Sequence, residues 1–113
     1  MRLCRERDGM GWNELMRTLL TRLHGAGVSK EALTACITSL EMWPQVSSLV
    51  RDLQDLGVKQ YILSDSNSVY IETLLEFHGL LPCFSGVITN PAHFTDEGRL
   101  HVGCVALVVT CKI

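Results

Sequence analysis

The chain predicts an α/β fold, and three observations carry that expectation. Apolar residues recur at steps of three and four in four separate segments, a compact run Tyr61-Ile62-Leu63 breaks into Ser64-Asp65-Ser66-Asn67, and a second short run, Val87 to Thr89, is halted by Pro91. Helical spacing alternating with short apolar runs is the pattern of a strand, helix, strand unit with a parallel, right-handed crossover.

From Trp12 to His24 the residues Trp12, Leu15, Met16, Leu19, Leu20 and Leu23 form the stripe of an amphipathic helix, ended by Gly25 and Gly27. Ser29 caps a second helix with Ala32, Leu33, Cys36, Ile37 and Leu40 on its buried side, and the two helices form a short hairpin. Pro44 suits the first turn of a third helix, whose face Val46, Leu49, Val50, Leu53 and Leu56 repeats up to Gly57. The segment Val58 to Leu63 then reads as a buried strand running into a polar loop at Ser64 to Asn67. A fourth helix presents Val69, Tyr70, Thr73, Leu74 and Phe77 and stops at Gly79. Val87 to Thr89 is a second strand. Asp96-Glu97-Gly98 between Phe94 and Leu100-His101-Val102 reads as a hairpin turn, and Val105 to Val109 is a third strand candidate. The domain reading is a helical segment over residues 1–43 and an α/β core over 44–113, with the hairpin near 92–102.

At 113 residues the chain has room for one small domain, and its formal net charge of -2 favours neither nucleic acid nor an anionic membrane as partner. The longest apolar run, Val102 to Val109, is too short to cross a bilayer as a helix, and no signal-like stretch follows Met1. A small soluble ligand and a cytoplasmic location are therefore expected. Cys4, Cys36, Cys83, Cys104 and Cys111 are scattered, without a CxxC or a histidine at zinc-ligand spacing, and read as reduced thiols. His24 and His78 stand before glycines at helix ends, while His93 and His101 flank the hairpin as surface residues. Asp52 and Asp55 read as a solvated helix face, and Met10, Met16 and Met42 as packing residues.

In open α/β sheets ligands gather beyond the carboxyl ends of parallel strands, where helix amino termini present unpaired N–H groups. Two segments meet that description: Ser64, Asp65, Ser66 and Asn67 directly before a helix, and Thr89 with Asn90. A hydroxyl and several N–H groups could close around a phosphate at Ser64. The same residue types are the usual helix caps, so capping and ligand binding are both open on physical grounds.

The run Ile62-Leu63-Ser64-Asp65-Ser66-Asn67-Ser68-Val69-Tyr70-Ile71-Glu72 resembles the second motif of haloacid-dehalogenase (HAD) phosphatases, in the branch that acts on phosphoethanolamine, phosphocholine and pyridoxal phosphate and includes plant thiamine-phosphate-phosphatase-like proteins. Further similarity lies in Thr89-Asn90-Pro91, in Gly98-Arg99-Leu100 and in Trp12-Asn13-Glu14-Leu15-Met16. The resemblance implies a partial HAD-like, Rossmannoid three-layer core with a helical cap from Trp12 to about Trp43. It implies that Ser64 gives a hydroxyl to phosphate, that Asp65 faces the leaving group, and that Asn67, Thr89 and Asn90 help to bind substrate. Cys111-Lys112 is similar to the family's third motif, whose lysine steadies phosphoryl charge; an unrelated tail is the alternative.

The family's chemistry runs through an aspartyl-phosphate on the first Asp of an Asp-x-Asp pair, with Mg²⁺ as cofactor. The aspartates here are Asp8, Asp52, Asp55, Asp65 and Asp96, and none stands in such a pair after a strand; Asp65-Ser66-Asn67 offers only an Asn in the acid/base position. The acidic metal-binding loop is not found either. The expectation is thus a fragment or isoform, truncated at both ends, of a Mg²⁺-dependent phosphomonoesterase, with no catalytic nucleophile and no metal ligands of its own. The alternative is a non-catalytic remnant that binds phosphate weakly or associates with another subunit, a second copy included, through an unfinished sheet.

Overall fold

A computed structural model describes residues 11–104. In chain order it contains α1 (Trp12–Gly25), α2 (Lys30–Thr38), α3 (Pro44–Asp55), β1 (Tyr61–Asn67), α4 (Ser68–Phe77), a single 3-10 turn (Leu81–Cys83), β2 (Gly86–Asn90), β3 (Ala92–Phe94) and β4 (Leu100–Val102). The α/β class read from the sequence is the one observed. The third strand candidate, Val105 to Val109, and Lys112 lie outside the described residues.

The helix ends follow local chemistry. Ser29 Oγ accepts the Ala32 amide at 3.1 Å and starts α2, as its spacing predicts. Pro44 opens α3, where its missing N–H leaves no helical bond unmade. At the far end Gly57, with φ of 79°, donates to Gln54 O, and Val58 donates to Leu53 O. Val58 is therefore consumed in closing α3, and β1 begins at Tyr61 rather than at Val58.

β1 and β2 pair in parallel, with Tyr61 opposite Gly86, Ile62 opposite Val87 and Leu63 opposite Ile88. The ladder then slips: the next aligned pair is Asn67 with Asn90, four residues on along β1 but two along β2. The expected polar loop is thus an irregular continuation of the strand. The strand is also not buried. Its residues alternate, Ile62 half-buried and Tyr61 and Leu63 exposed, because α4 covers one face of the pair and no described residue covers the other. Continuous apolar runs imply two covered faces; the described residues cover only one.

Two apolar clusters support this frame. Leu75, Leu80 and Cys83 join the end of α4 to the 3-10 turn, with Val50 of α3 and Ile62 of β1 packed against them. Leu20 of α1 joins Leu100 and Val102 of β4, with Leu33, Val69, Tyr70, Ala92 and Phe94 around them. The β3–β4 hairpin is antiparallel as expected, Ala92 facing Val102 and Phe94 facing Leu100, and it turns through Gly98 at a φ of 83°. Instead of packing chiefly on each other, α1 lies on β4 and α2 on α4. Among the described residues no helix is long and apolar enough to cross a membrane. Cys36 and Cys83 are free thiols, whereas Cys104 is disulfide-bonded. That corrects the reduced-thiol reading at Cys104: scattered sequence positions carry no information on which sulfurs meet in space.

Candidate functional site

The slip in the parallel ladder falls on the Ser64–Asn67 segment, which sits at the carboxyl end of β1 and runs straight into α4. Ser64 is half-buried, and its Oγ accepts the Ser66 amide at 3.1 Å. A hydroxyl that accepts from a backbone N–H keeps its own proton available to a further acceptor. Asp65 is exposed, its carboxylate beside that hydroxyl in sequence and its backbone carbonyl turned inward.

Asn67 is buried, and its Oδ1 caps α4 by accepting the Tyr70 amide at 3.0 Å. One of the unpaired N–H groups of the helix start is thereby satisfied within the chain. Ser68 ties the same turn to β3, its Oγ accepting the Ala92 amide at 2.9 Å. Thr89 is buried on β2, and among the described residues its Oγ1 has no hydrogen-bond partner. It follows Ile88, which stands on the open face, so alternation turns Thr89 toward α4.

Asn90 is 2 % exposed and Asn13 of α1 is 4 % exposed. Their carboxamides pair reciprocally, Asn13 Nδ2 donating to Asn90 Oδ1 at 3.1 Å and Asn90 Nδ2 to Asn13 Oδ1 at 3.2 Å. Asn90 Nδ2 also reaches the carbonyls of Asp65 and Ser66, each at 2.9 Å, and Trp12 Nε1 donates to Asp65 O at 3.1 Å. The structure therefore gathers Ser64, Asp65, Asn67 and Asn90 around one strand end. Ser64 and Asp65 reach the surface there, and Asn67 and Asn90 do not. Sequence reasoning missed the part of Asn13, which reads locally as an ordinary polar residue in a helix's first turn; only its place beside Trp12 in a family-like stretch marks it.

Two details lie outside this centre. His93 and His101 face each other across the hairpin with ring centres 5.4 Å apart, the surface positions expected of them now a cross-strand pair. Burial pushes the Tyr70 phenol above its ordinary ionisation range, with the Cys36 thiol adding a smaller push in the same direction. Neither His93 nor His101 touches Ser64 through any hydrogen bond.

The model of a family described as "Putative Phosphatase" matches residues 2–112. The chain belongs to that family. Its kinship with PHOSPHO-type HAD phosphatases, read from the Ser64 motif, is thus borne out. The chain is 31 % identical over 91 residues to a thiamine phosphate phosphatase-like protein of Arabidopsis thaliana, covering 80 % of this chain and 37 % of that protein. It is 33 % identical over 93 residues to inorganic pyrophosphatase 2 of the same plant, covering 82 % of this chain and 33 % of that one. It is 36 % identical over 96 residues to pyridoxal phosphate phosphatase PHOSPHO2 of Rattus norvegicus, covering 80 % and 39 %. The chain accordingly spans about a third of the length of these curated relatives. No solved structure matches it significantly.

Proposed function

We propose that this chain carries the phosphate-contacting strand end of a phosphomonoesterase for small phosphate esters such as phosphoethanolamine, phosphocholine or pyridoxal phosphate. The observation that carries the reading is the Ser64 hydroxyl: half-buried at the carboxyl end of a parallel strand, accepting from Ser66 N–H and so left with a proton to donate. Ser64 donates that proton's hydrogen bond to a phosphate oxygen. Asp65, exposed beside it, faces the leaving group, where a carboxylate stabilises an amine cation. Asn67, Thr89 and Asn90 act on substrate from behind, through the shape they give this segment, and Lys112 is a candidate for the phosphoryl-steadying lysine. The proposed division remains a helical cap over residues 1–43 above a core over 44–113, in a cytoplasmic enzyme.

A divalent cation belongs to the family's chemistry, and Mg²⁺ is the one proposed for the whole protein. The described residues do not fit as its site, since no three His, Cys, Asp or Glu side chains converge among them. The roles assigned here therefore run through the chain's own side chains and not through a metal. The chain as given is proposed to be inactive, because none of its five aspartates stands in an Asp-x-Asp after a strand.

Two measurements test the reading. Purified with Mg²⁺, the chain is expected to show no hydrolysis of the three esters, and turnover abolished by Asp65→Asn would overturn that expectation. Titration with inorganic phosphate is expected to shift the backbone amides of Ser64 to Tyr70 in an NMR spectrum, and Ser64→Ala is expected to weaken the binding. Amides that stay still in the parent chain would remove Ser64 from its role.

A further inference from the structure

We infer that Asn90 is a positioning residue that aims the Ser64 hydroxyl, and that Asn13 holds Asn90 in place. The inference rests on the phosphate-donor reading of Ser64. A carboxamide can be placed with its oxygen and nitrogen exchanged, and its partners decide which is correct. Asn90 lies against two carbonyl oxygens, Asp65 O and Ser66 O, both at 2.9 Å. An oxygen placed there would face two others at contact distance, so the NH₂ group must occupy that side. The same NH₂ group also reaches Asn13 Oδ1 at 3.2 Å.

With Asn90 so fixed, its Oδ1 requires a donor, and Asn13 Nδ2 supplies it. Asn13 is fixed in turn by the Gly103 carbonyl, which its Nδ2 also reaches at 3.2 Å. Gly103 O thus accepts from Asn13, Asn13 and Asn90 donate to each other, and Asn90 donates to the two carbonyls of the strand end. At that end a trans peptide holds its N–H opposite its C=O. Drawing the Asp65 carbonyl toward Asn90 turns the Ser66 N–H away from it, and that N–H is the one that meets Ser64 Oγ. Buried amides reach this arrangement at the cost of desolvation, and the cost is offset only where every partner is in place. The relay thus reaches the hydroxyl from a side chain on a different element, α1.

The test uses the full 113-residue chain, inorganic phosphate as probe, and two NMR readouts: the Ser66 amide resonance without ligand, and phosphate affinity from the Ser64 to Tyr70 amides. Asn13→Asp replaces the donor to Asn90 Oδ1 and Gly103 O with an acceptor; Asn13→Ala removes it without repulsion, should the first variant fail to fold. Gly98→Ala in the distant hairpin turn lowers stability without touching the relay and serves as control. The inference expects the Asn13 variants to move the Ser66 amide and to weaken phosphate binding about tenfold, the scale of one hydrogen bond to a charged group. The control should do neither. An Asn13 variant that lowers only the melting temperature, with amide and affinity unmoved, would overturn it. A parent chain that ignores phosphate while the Ser66 amide still moves in the variants leaves the relay standing and removes the phosphate role of Ser64.

Discussion

Leu63 and Ile88 face each other across the parallel pair and both stand open to solvent, 71 % and 41 % exposed. With Tyr61 they make an apolar face on which no described residue lies. Exposed apolar strand faces and unpaired edges favour pairing with another chain. The chain is therefore expected to self-associate as its concentration rises, and Leu63→Lys is expected to reduce that association. Size-exclusion chromatography with light scattering checks it; a monodisperse parent monomer with a sharp urea transition would refute it.

Asn67 caps α4 from a buried position. Replacing it with Ala removes the bond to the Tyr70 amide and leaves that N–H without its partner. The loss is expected to be about 1–2 kcal/mol, at the upper end for a cap because the site is dry. Chemical denaturation of Asn67→Ala and Asn67→Asp checks it, the Asp variant keeping the acceptor and much of the stability.

Thr89 presents the opposite case, a buried hydroxyl that bonds to no described residue. Thr89→Val keeps the shape of the side chain and removes the polar atom. The variant is expected to match or exceed the parent in stability, by up to about 1–2 kcal/mol, since an unmet hydroxyl is the costly state. A marked loss in a thermal melt would contradict this and point to a partner for the hydroxyl.

Tyr70 ties stability to alkaline pH. Its phenol ionises above the usual tyrosine range in the folded chain, first because burial disfavours the anion. The folded state therefore holds this proton more tightly than the unfolded state. The contribution is intact below the unfolded value of about 10 and is lost as pH rises from there through the folded value. Tyr70→Phe is expected to flatten the decline of stability above about pH 10, measured by urea melts across that range.

The helices were legible because their signals are local. Apolar spacing, the Ser29 cap, Pro44 and the glycines at positions 57 and 98 each act within a few residues. The exposure of Leu63 was not legible, because an apolar run is the same whether or not a second layer covers it. The slipped register at Ser64–Asn67 depends on carbonyls claimed by Asn90, a residue more than twenty positions away. Candidate site residues could be picked out by type and by resemblance. Which of them are surface groups and which are buried braces was a matter of tertiary structure.

The Asn13–Asn90 pair spans 77 positions of sequence, among the longest closures in the described chain. The entropy of closing a loop grows with the logarithm of its length, and contacts that need long closures form once shorter ones have reduced the search. Helices and the β3–β4 hairpin close over short stretches. The strand end with Ser64 is then among the last parts to acquire its final shape during folding, and among the first to lose it when the chain opens. Amide exchange at Ser66 should accordingly be faster than at Leu75, in the middle of the apolar cluster, and reversal of that order would argue for a strand end that forms early.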